Sequence, residues 1–298
     1  MNILAADIGG TSIKIALVDE QGNITRTQEV PSEGKRGGPQ VMKNLKAALD
    51  TYEGYEAIGI SSAGQVDSEK GMIRYANENI PGYTGMKIRE ILEERYHVPV
   101  KVENDVNAAA LGEARFGAGK NYRDFLCVTL GTGVGGGIFI GHELYKGADG
   151  IAGELGHLTL YPRGNRCGCG RLGCYEQYAS TKALVQVAQG VDPSISSGRD
   201  LFRRIENGNP RLKEVLESWL VDVALGLSSL IHIFNPEALI LGGGVLDRPG
   251  LLEDIEKKVR ENLMASFQGV VLQKAALGNH AGLMGAASLH LPSEGAEA

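Results

Sequence analysis

The sequence has no surplus of positive charge. Lys and Arg number 30 against 36 Asp and Glu, a formal net charge of −6 and a pI of about 5.6. A broad nucleic-acid surface needs the opposite balance, so no nucleic-acid partner is expected. No apolar run approaches the roughly 20 residues that a bilayer-spanning helix requires. The opening MNILAADIGG lacks the basic start and long apolar core of a signal peptide. The expectation is a cytoplasmic protein with no membrane partner. Cysteine is scarce, at 4 in 298 residues. Two motifs of phosphate chemistry are missing as well. There is no Walker A pattern, G-x-x-x-x-G-K-[ST], and no protein-kinase H-R-D or D-F-G set.

What is present fits a folded globular chain, with 43% apolar and 22% charged residues. The length suits one large domain or two lobes with separate cores. Periodicity predicts strands at 3–7 and 12–18 joined by a Gly-Gly turn, and a helix at 41–52. A strand at 57–61, a helix at 86–96, a strand at 100–104 and a helix at 106–116 follow. The pattern then restarts: strand 125–130, a glycine-rich turn, strand 137–145. A Gly, Cys and Arg-rich loop at 161–174 leads into helices at 175–189, 199–206 and 211–233. A strand at 238–245, a helix at 250–265, a strand near 270–276 and a helix at 281–290 end the pattern. The tail from 292 reads as frayed. Alternating strands and helices imply an α/β architecture. The restarted motif implies two similar halves facing a cleft, with a boundary near residue 117.

Glycine is abundant, at 42, and clustered at Gly9-Gly10, Gly131 to Gly137 and Gly242 to Gly244. In the run Asp7-Ile-Gly9-Gly10-Thr11-Ser12-Ile-Lys14, a carboxylate at a strand end precedes two glycines and two hydroxyls. Backbone N–H groups in such a turn can form an anion nest, Thr11 and Ser12 add donors, and Asp7 suits Mg²⁺. A plain β-hairpin turn accounts for the same residues. Gly131-Thr132-Gly133-Val-Gly135-Gly136 matches G-x-G-x-x-G, but that fingerprint must open a helix, and here β-rich GIFIG follows. A second phosphate-cradling hairpin explains it better. Leu241-Gly242-Gly243-Gly244 forms a third loop, suited to a flat adenine ring. Asp105, in Asn104-Asp105 between strand and helix, reads either as an N-cap or as the base that takes a proton from an attacking hydroxyl.

His157, Cys167, Cys169 and Cys174 make a Cys₃His set suited to tetrahedral zinc. The clustering favours metal over free thiols. Four protein ligands leave no open position, so the zinc is expected to be structural. Cys127, within an apolar strand, reads as a small buried hydrophobe. Glu154 and Glu176 flank the cluster and suit sugar hydroxyls; for Glu176, a first-turn charge on a helix is the other reading.

Together these residues resemble the bacterial ROK sugar kinases, named for repressor, open reading frame and kinase. The resemblance covers nearly the whole chain. It rests on Asp7-Ile-Gly-Gly-Thr11, Glu154-Leu-Gly-His157 and Cys167-Gly-Cys169-Gly-x-x-Gly-Cys174-x-Glu176. Asn104-Asp105 and Leu130 to Gly137 fall in the expected order. It implies a two-lobed actin-like, hexokinase-like ATPase fold, a ribonuclease H-like duplication, closing over ATP and a hexose. The small lobe would be 1–117 completed by the C-terminal helix at 281–298; the large lobe would be 118–280. The resemblance makes Asp105 the general base for the sugar 6-hydroxyl. It places Asn104, Glu154, His157, Glu176, Gly64 and Asn79 at the sugar, with His157 serving zinc and sugar through its two ring nitrogens. The glycine loops, with Lys14, would serve ATP and Mg²⁺, and a homodimer is implied. Repressor members carry an added N-terminal helix-turn-helix region. Here the ATPase motif begins at Asp7, so an enzyme is expected. Glucose is the expected substrate, with N-acetylmannosamine second because Gly59 to Val66 is similar to the kinases of that sugar. A sugar-sensing protein that no longer turns over ATP is the non-enzyme alternative.

Overall fold

The structure is a computed structural model, and it describes residues 1–292; the tail expected to fray and the end of the expected 281–298 segment lie, beyond 292, outside the described residues. Contacts divide the chain into two compact units. The first comprises Met1–Arg123, Gly137–Gly153 and the chain from Ala276 on; the second comprises Asp124–Gly136 and Glu154–Ala275. The segment Gly137–Gly153 thus groups with the first unit.

The first unit opens with β1 (Asn2–Ile8), β2 (Ser12–Asp19) and β3 (Ile24–Pro31), then α1 (Gly38–Leu49), β4 (Ala57–Ser62), β5 (Gln65–Asp67) and β6 (Met72–Tyr75). It continues through α2 (Ile88–Tyr96), β7 (Val100–Asn104) and α3 (Asp105–Phe116). The sheet order is β3-β2-β1-β4-β7, with β1, β4 and β7 parallel and the hairpins antiparallel. One face of β1 and β4 carries Leu4, Ala6, Ile8, Ile58 and Ile60, all fully buried with Val41, Leu45 and Leu49 of α1. Three strands were not foreseen. β3 is a largely exposed edge with polar residues at most positions, and β5–β6 is a two-stranded hairpin too short to show a period.

In chain order, β8 (Phe125–Leu130) and the start of β9 (Val134–Ile140) belong to the second unit, and the rest of β9 and β10 (Glu143–Leu144) to the first. The second unit then holds α4 (Glu176–Ala179), α5 (Thr181–Val191), α6 (Gly198–Glu206), α7 (Pro210–Phe234), β11 (Ala238–Gly242), α8 (Leu251–Asn262) and β12 (Val271–Lys274). β11 pairs in parallel with both β8 and β12. The single helix expected over 175–189 is two. Ser180 is extended and caps α5 by accepting from the Ala183 N–H at 3.1 Å, and its carbonyl takes the Trp219 indole N–H at 3.2 Å. The strand expected over 238–245 ends at Gly242, where a 3-10 turn from Gly244 to Asp247 takes over.

α7 corrects one expectation. It is 25 residues long and contains an 18-residue stretch with a mean hydropathy of 1.4, enough by length and composition to cross a membrane. Trp219, Leu220, Val223, Leu227, Leu230 and Ile231 are nonetheless buried, so this helix is the core of the second unit, packed by α5 and α8.

The last helix, α9 (Ala281–Ser288), packs in the first unit against α3, β1 and β4. The approach is backbone to backbone. A Cβ on Gly285 would strike the Ala108 carbonyl, one on Gly59 would strike the Ala286 carbonyl, and one on Gly112 would lie 2.6 Å from the Ala281 carbonyl. Buried Glu113 ties the returning chain to α3: its carboxylate accepts from the N–H groups of Ala276 (3.0 Å), Leu277 (2.8 Å) and Ala118 (2.8 Å). Because a side chain at 285 must push the helices apart, Gly285→Val is expected to cost about 1–3 kcal/mol. Urea unfolding checks this, and an unchanged midpoint would refute the close packing.

Candidate functional site

The first unit holds the Gly9-Gly10 motif and the Asn104-Asp105 pair; the second holds the glycine loops at 131–135 and 243–244 and the Cys₃His set.

In the first unit, β7 ends and α3 begins at Asn104-Asp105. Both residues favour the N-cap, and sequence alone does not separate them. The structure assigns the cap to Asn104. Its backbone is extended, and its Oδ1 accepts from the N–H groups of Val106 (3.0 Å) and Asn107 (3.1 Å). Its Nδ2 donates to the Gly64 carbonyl at 2.9 Å and to Asp105 Oδ1 at 2.9 Å. Asp105 is therefore the first helical residue, not the cap. Its Oδ1 also accepts from the Val106 N–H at 2.9 Å. Burial, then the nearby charge of Asp7, pushes the Asp105 carboxyl up to about 6.

Asp7 stands at the end of β1, with its Oδ1 accepting from the buried Ser61 hydroxyl at 2.6 Å. Its carboxyl is raised by burial, with Ser61 and Lys14 opposing. The carboxylate lies against the first turn of α9, where a Cβ on Gly282 would come within 2.8–2.9 Å of it. Two carboxyl groups that are both raised by burial, one of them also by the charge of the other, fit a site for a hard cation such as Mg²⁺. Lys14 reaches the Asn279 carbonyl at 3.3 Å. Gly9 and Gly10 join β1 to β2; the Gly9 N–H bonds the Ser12 carbonyl at 3.0 Å, the Thr11 carbonyl takes the Ser32 N–H at 3.0 Å, and Gly10 has open space around it. Gly64 adopts φ +97°, next to the Tyr75 carbonyl. Asn79 is exposed on the following turn, its backbone N–H bonded to Asn77 Oδ1 at 3.0 Å.

In the second unit, the Gly131–Gly133 turn leads into β9 and not a helix, as its β-rich continuation predicts. The Gly131 N–H bonds the Gly133 carbonyl at 2.9 Å, and Thr132 sits at the exposed tip. Gly133 lies so close to Glu176 that a Cβ would be 2.6 Å from its Oε2, while Gly135 continues within β9. Gly243 has φ +111° and packs on the backbone of Leu130, with Gly244 open beside it. The second and third glycine loops therefore meet at the end of β8.

The Cys₃His set is assembled as its spacing predicts. The ligand atoms of His157, Cys167, Cys169 and Cys174 all lie within 4.8 Å of one another. His157 Nδ1 is 3.6 Å from Cys167 Sγ, and Cys169 Sγ is 3.6 Å from Cys174 Sγ. Two tight turns build the knuckle: the Cys167 N–H bonds the Arg171 carbonyl at 2.8 Å, and the Gly170 N–H bonds the Cys167 carbonyl at 3.0 Å. Gly170 and Gly173 take φ of +89° and +78°, and a Cβ on Gly173 would strike the Tyr161 carbonyl. Burial pushes the Cys167 thiol up to about 12 and raises that of Cys174; the Arg171 backbone N–H lowers that of Cys169. Two buried thiols stay protonated unless a cation compensates them, so this donor set fits zinc. The other face of the imidazole points to Glu154, whose Oε2 is 3.8 Å from His157 Nε2. Glu176 Oε1 takes the Cys167 S–H at 2.9 Å and lies 4.0 Å from His157 Nδ1. Cys127 is buried in β8, as foreseen.

Sequence reasoning missed Ser61 and Gly282, which hold Asp7, because each reaches it only through tertiary contact.

The paired glycine hairpins and carboxylates on this scaffold define an actin-like ATPase fold. The chain belongs to the ROK family, whose model matches residues 3–292. It is similar to a glucokinase from Streptomyces coelicolor, at 37% identity over 96% of each chain. It is also similar to a solved ROK family glucokinase from Streptomyces griseus in complex with glucose and AMPPNP. That match has 36% identity and a TM-score of 0.86, and covers 97% of this chain and 99% of that one. Regulators are relatives too: a xylose repressor from Bacillus subtilis is 29% identical over 95% of this chain and 75% of its own length.

The metal reading has a direct test. Purified protein is expected to contain about one zinc ion per chain, and Cys169→Ser to lose it together with part of its thermal stability. Metal analysis by mass spectrometry checks both, and wild-type protein without zinc would contradict the assignment.

Proposed function

We propose that the protein is an ATP-dependent hexose kinase, transferring the γ-phosphate of ATP to the 6-hydroxyl of a sugar, with glucose as the favoured substrate. The observation that carries this reading is Asp105. It is a carboxyl held at the start of a helix beside a capping Asn104, with its titration raised to about 6. A general base works best when its pKa lies near the working pH, and this one is ionised at neutral pH yet basic enough to take a proton. The hydrogen bonds from the Asn104 side chain and the Val106 N–H both fall on Oδ1. Oδ2 is the atom assigned to the sugar hydroxyl.

Phosphoryl transfer is mainly positioning plus charge stabilisation. In the first unit, Asn104, Gly64 and Asn79 are assigned to orient the sugar, and Asp105 to remove the proton from its 6-hydroxyl. Asp7 would hold Mg²⁺, directly or through water, with Gly9, Gly10, Thr11, Ser12 and Lys14 assigned to the phosphates. Bound there, Mg²⁺ would supply positive charge against the phosphate oxygens. In the second unit, Gly131, Thr132, Gly133 and Gly135 are assigned to phosphate, and Gly243 and Gly244 to the adenine side. Glu154 and Glu176 are assigned to accept hydrogen bonds from sugar hydroxyls, and His157, with Nδ1 toward the thiols, to donate one from its Nε2–H. A zinc ion held by these residues would keep the His157 ring as it stands, with Nδ1 toward the thiols and Nε2 away from them. Similarity to glucokinases supports glucose; N-acetylmannosamine is the second substrate reading. Similarity to a repressor keeps a sugar-sensing protein as the non-catalytic alternative, against which the ionisable Asp105 speaks.

A coupled ADP-release assay with glucose, mannose, fructose, N-acetylglucosamine and N-acetylmannosamine tests the proposal. Turnover with glucose highest is expected, and no turnover with any sugar would sink it. The Asp105 role has a pH signature. Below about 6 the carboxyl is protonated and cannot accept the hydroxyl proton. The kcat/KM for sugar should therefore fall about tenfold per pH unit on that side and level off above it. Asp105→Asn should lower kcat by about 100-fold or more while sugar binding stays measurable. Near-normal turnover in that variant would assign the base elsewhere.

A further inference from the structure

Glu103, just before Asn104, is 1% exposed and takes no part in the assignments above. Its Oε1 accepts from the Asn104 backbone N–H at 2.9 Å and from Asn107 Nδ2 at 3.2 Å. One carboxylate therefore grips both sides of the first turn of α3, the turn that carries Asp105. A buried carboxylate bonded only by neutral donors is costly without an opposite charge. That charge comes from Lys146, whose Nζ lies 2.6 Å from Glu103 Oε2. The ammonium sits off the line of a well-aimed hydrogen bond to Oε2, so the contact acts as a charge pair. Lys146 also donates to Ser68 Oγ at 2.9 Å. Its side chain is 37% exposed and lines a cavity of about 470 Å³ with Ser68, Arg74 and Asp149. Arg74 Nη1 donates to the Asp149 carbonyl at 2.7 Å, a second tie on the same segment.

We propose that Lys146 is a positioning residue for Asp105, acting through Glu103 to hold the first turn of α3 in register. This rests on the reading of Asp105 as the base. The physical step is simple. Without the ammonium, Glu103 must either stay charged and draw water into the core, or take a proton and turn one acceptor into a donor. Either change loosens the bonds to Asn104 and Asn107, and Asn104 in turn holds Asp105 Oδ1 and the Gly64 carbonyl. The cavity beside Lys146 leaves room for a larger cation, so Lys146→Arg should keep the pair, whereas the uncharged Lys146→Met of similar length should lose it.

The test compares the two variants with wild type by steady-state kinetics and by hydrogen exchange of the peptide spanning Asn104 to Asn107. In Lys146→Met, kcat should fall about tenfold or more, KM for ATP should stay within about twofold, and exchange at this turn should rise about tenfold. Lys146→Arg should restore both. Unchanged kcat with unchanged exchange in Lys146→Met would overturn the proposal. So would faster exchange confined to 142–153, which would make Lys146 only a tether for its own segment. If wild type phosphorylates no sugar, the kinase reading fails by itself. The exchange comparison then still decides whether Lys146 holds the turn.

Discussion

A half-buried carboxylate at the start of a helix, beside another carboxylate, is the constraint on which the first unit turns. Burial and the charge of Asp7 both act against the ionisation of Asp105 and push its carboxyl up to about 6. The fold keeps it where it is by devices that do not neutralise it. Asn104 takes over the cap and donates back to Asp105 Oδ1. Glu103 holds the peptide of Asn104 from the core side. Asp7 is held by Ser61 and by the close approach of Gly282. The close contact of α9 with α3 and β4 needs glycine at 59, 112 and 285, so the packing of the first unit and the placement of its acids are one problem.

The second unit meets a different electrostatic demand. Three sulfur atoms and an imidazole are brought within 4.8 Å by a loop with little core of its own. Burial disfavours thiolates at Cys167 and Cys174, and only a cation reverses that preference. The same knuckle orients His157, so that one ring nitrogen faces the thiols and the other faces Glu154. Glu176 lies between the cluster and the Gly133 turn, touching both. A metal of structural type would in this way fix groups suited to bind hydroxyls without entering the chemistry itself.

Much of this was legible in the sequence wherever the signal is local. The cysteine spacing, the glycine turns after strands, and the β-rich continuation after Gly133 each lie within about a dozen residues, and each appears as read. Helix α3 and strand β7 were also plain from their period. Other features were hidden for physical reasons. Asn104 and Asp105 are both good caps, and only the backbone angles separate them. Ser180 breaks a continuous helical pattern because its hydroxyl and carbonyl find better partners. α7 is apolar because it is a core helix, which composition alone does not separate from a membrane span. Ser61, Gly282 and Lys146 act on residues more than 40 positions away, so no window along the chain contains the pair.

The central claim is that the Asp105 carboxylate activates a sugar hydroxyl toward ATP. The most direct measurement is phosphorus and carbon NMR of the products formed from ATP and ¹³C-labelled glucose. The account predicts a new phosphate monoester on carbon 6, appearing in step with ADP. Inorganic phosphate released while the sugar stays unmodified would contradict it.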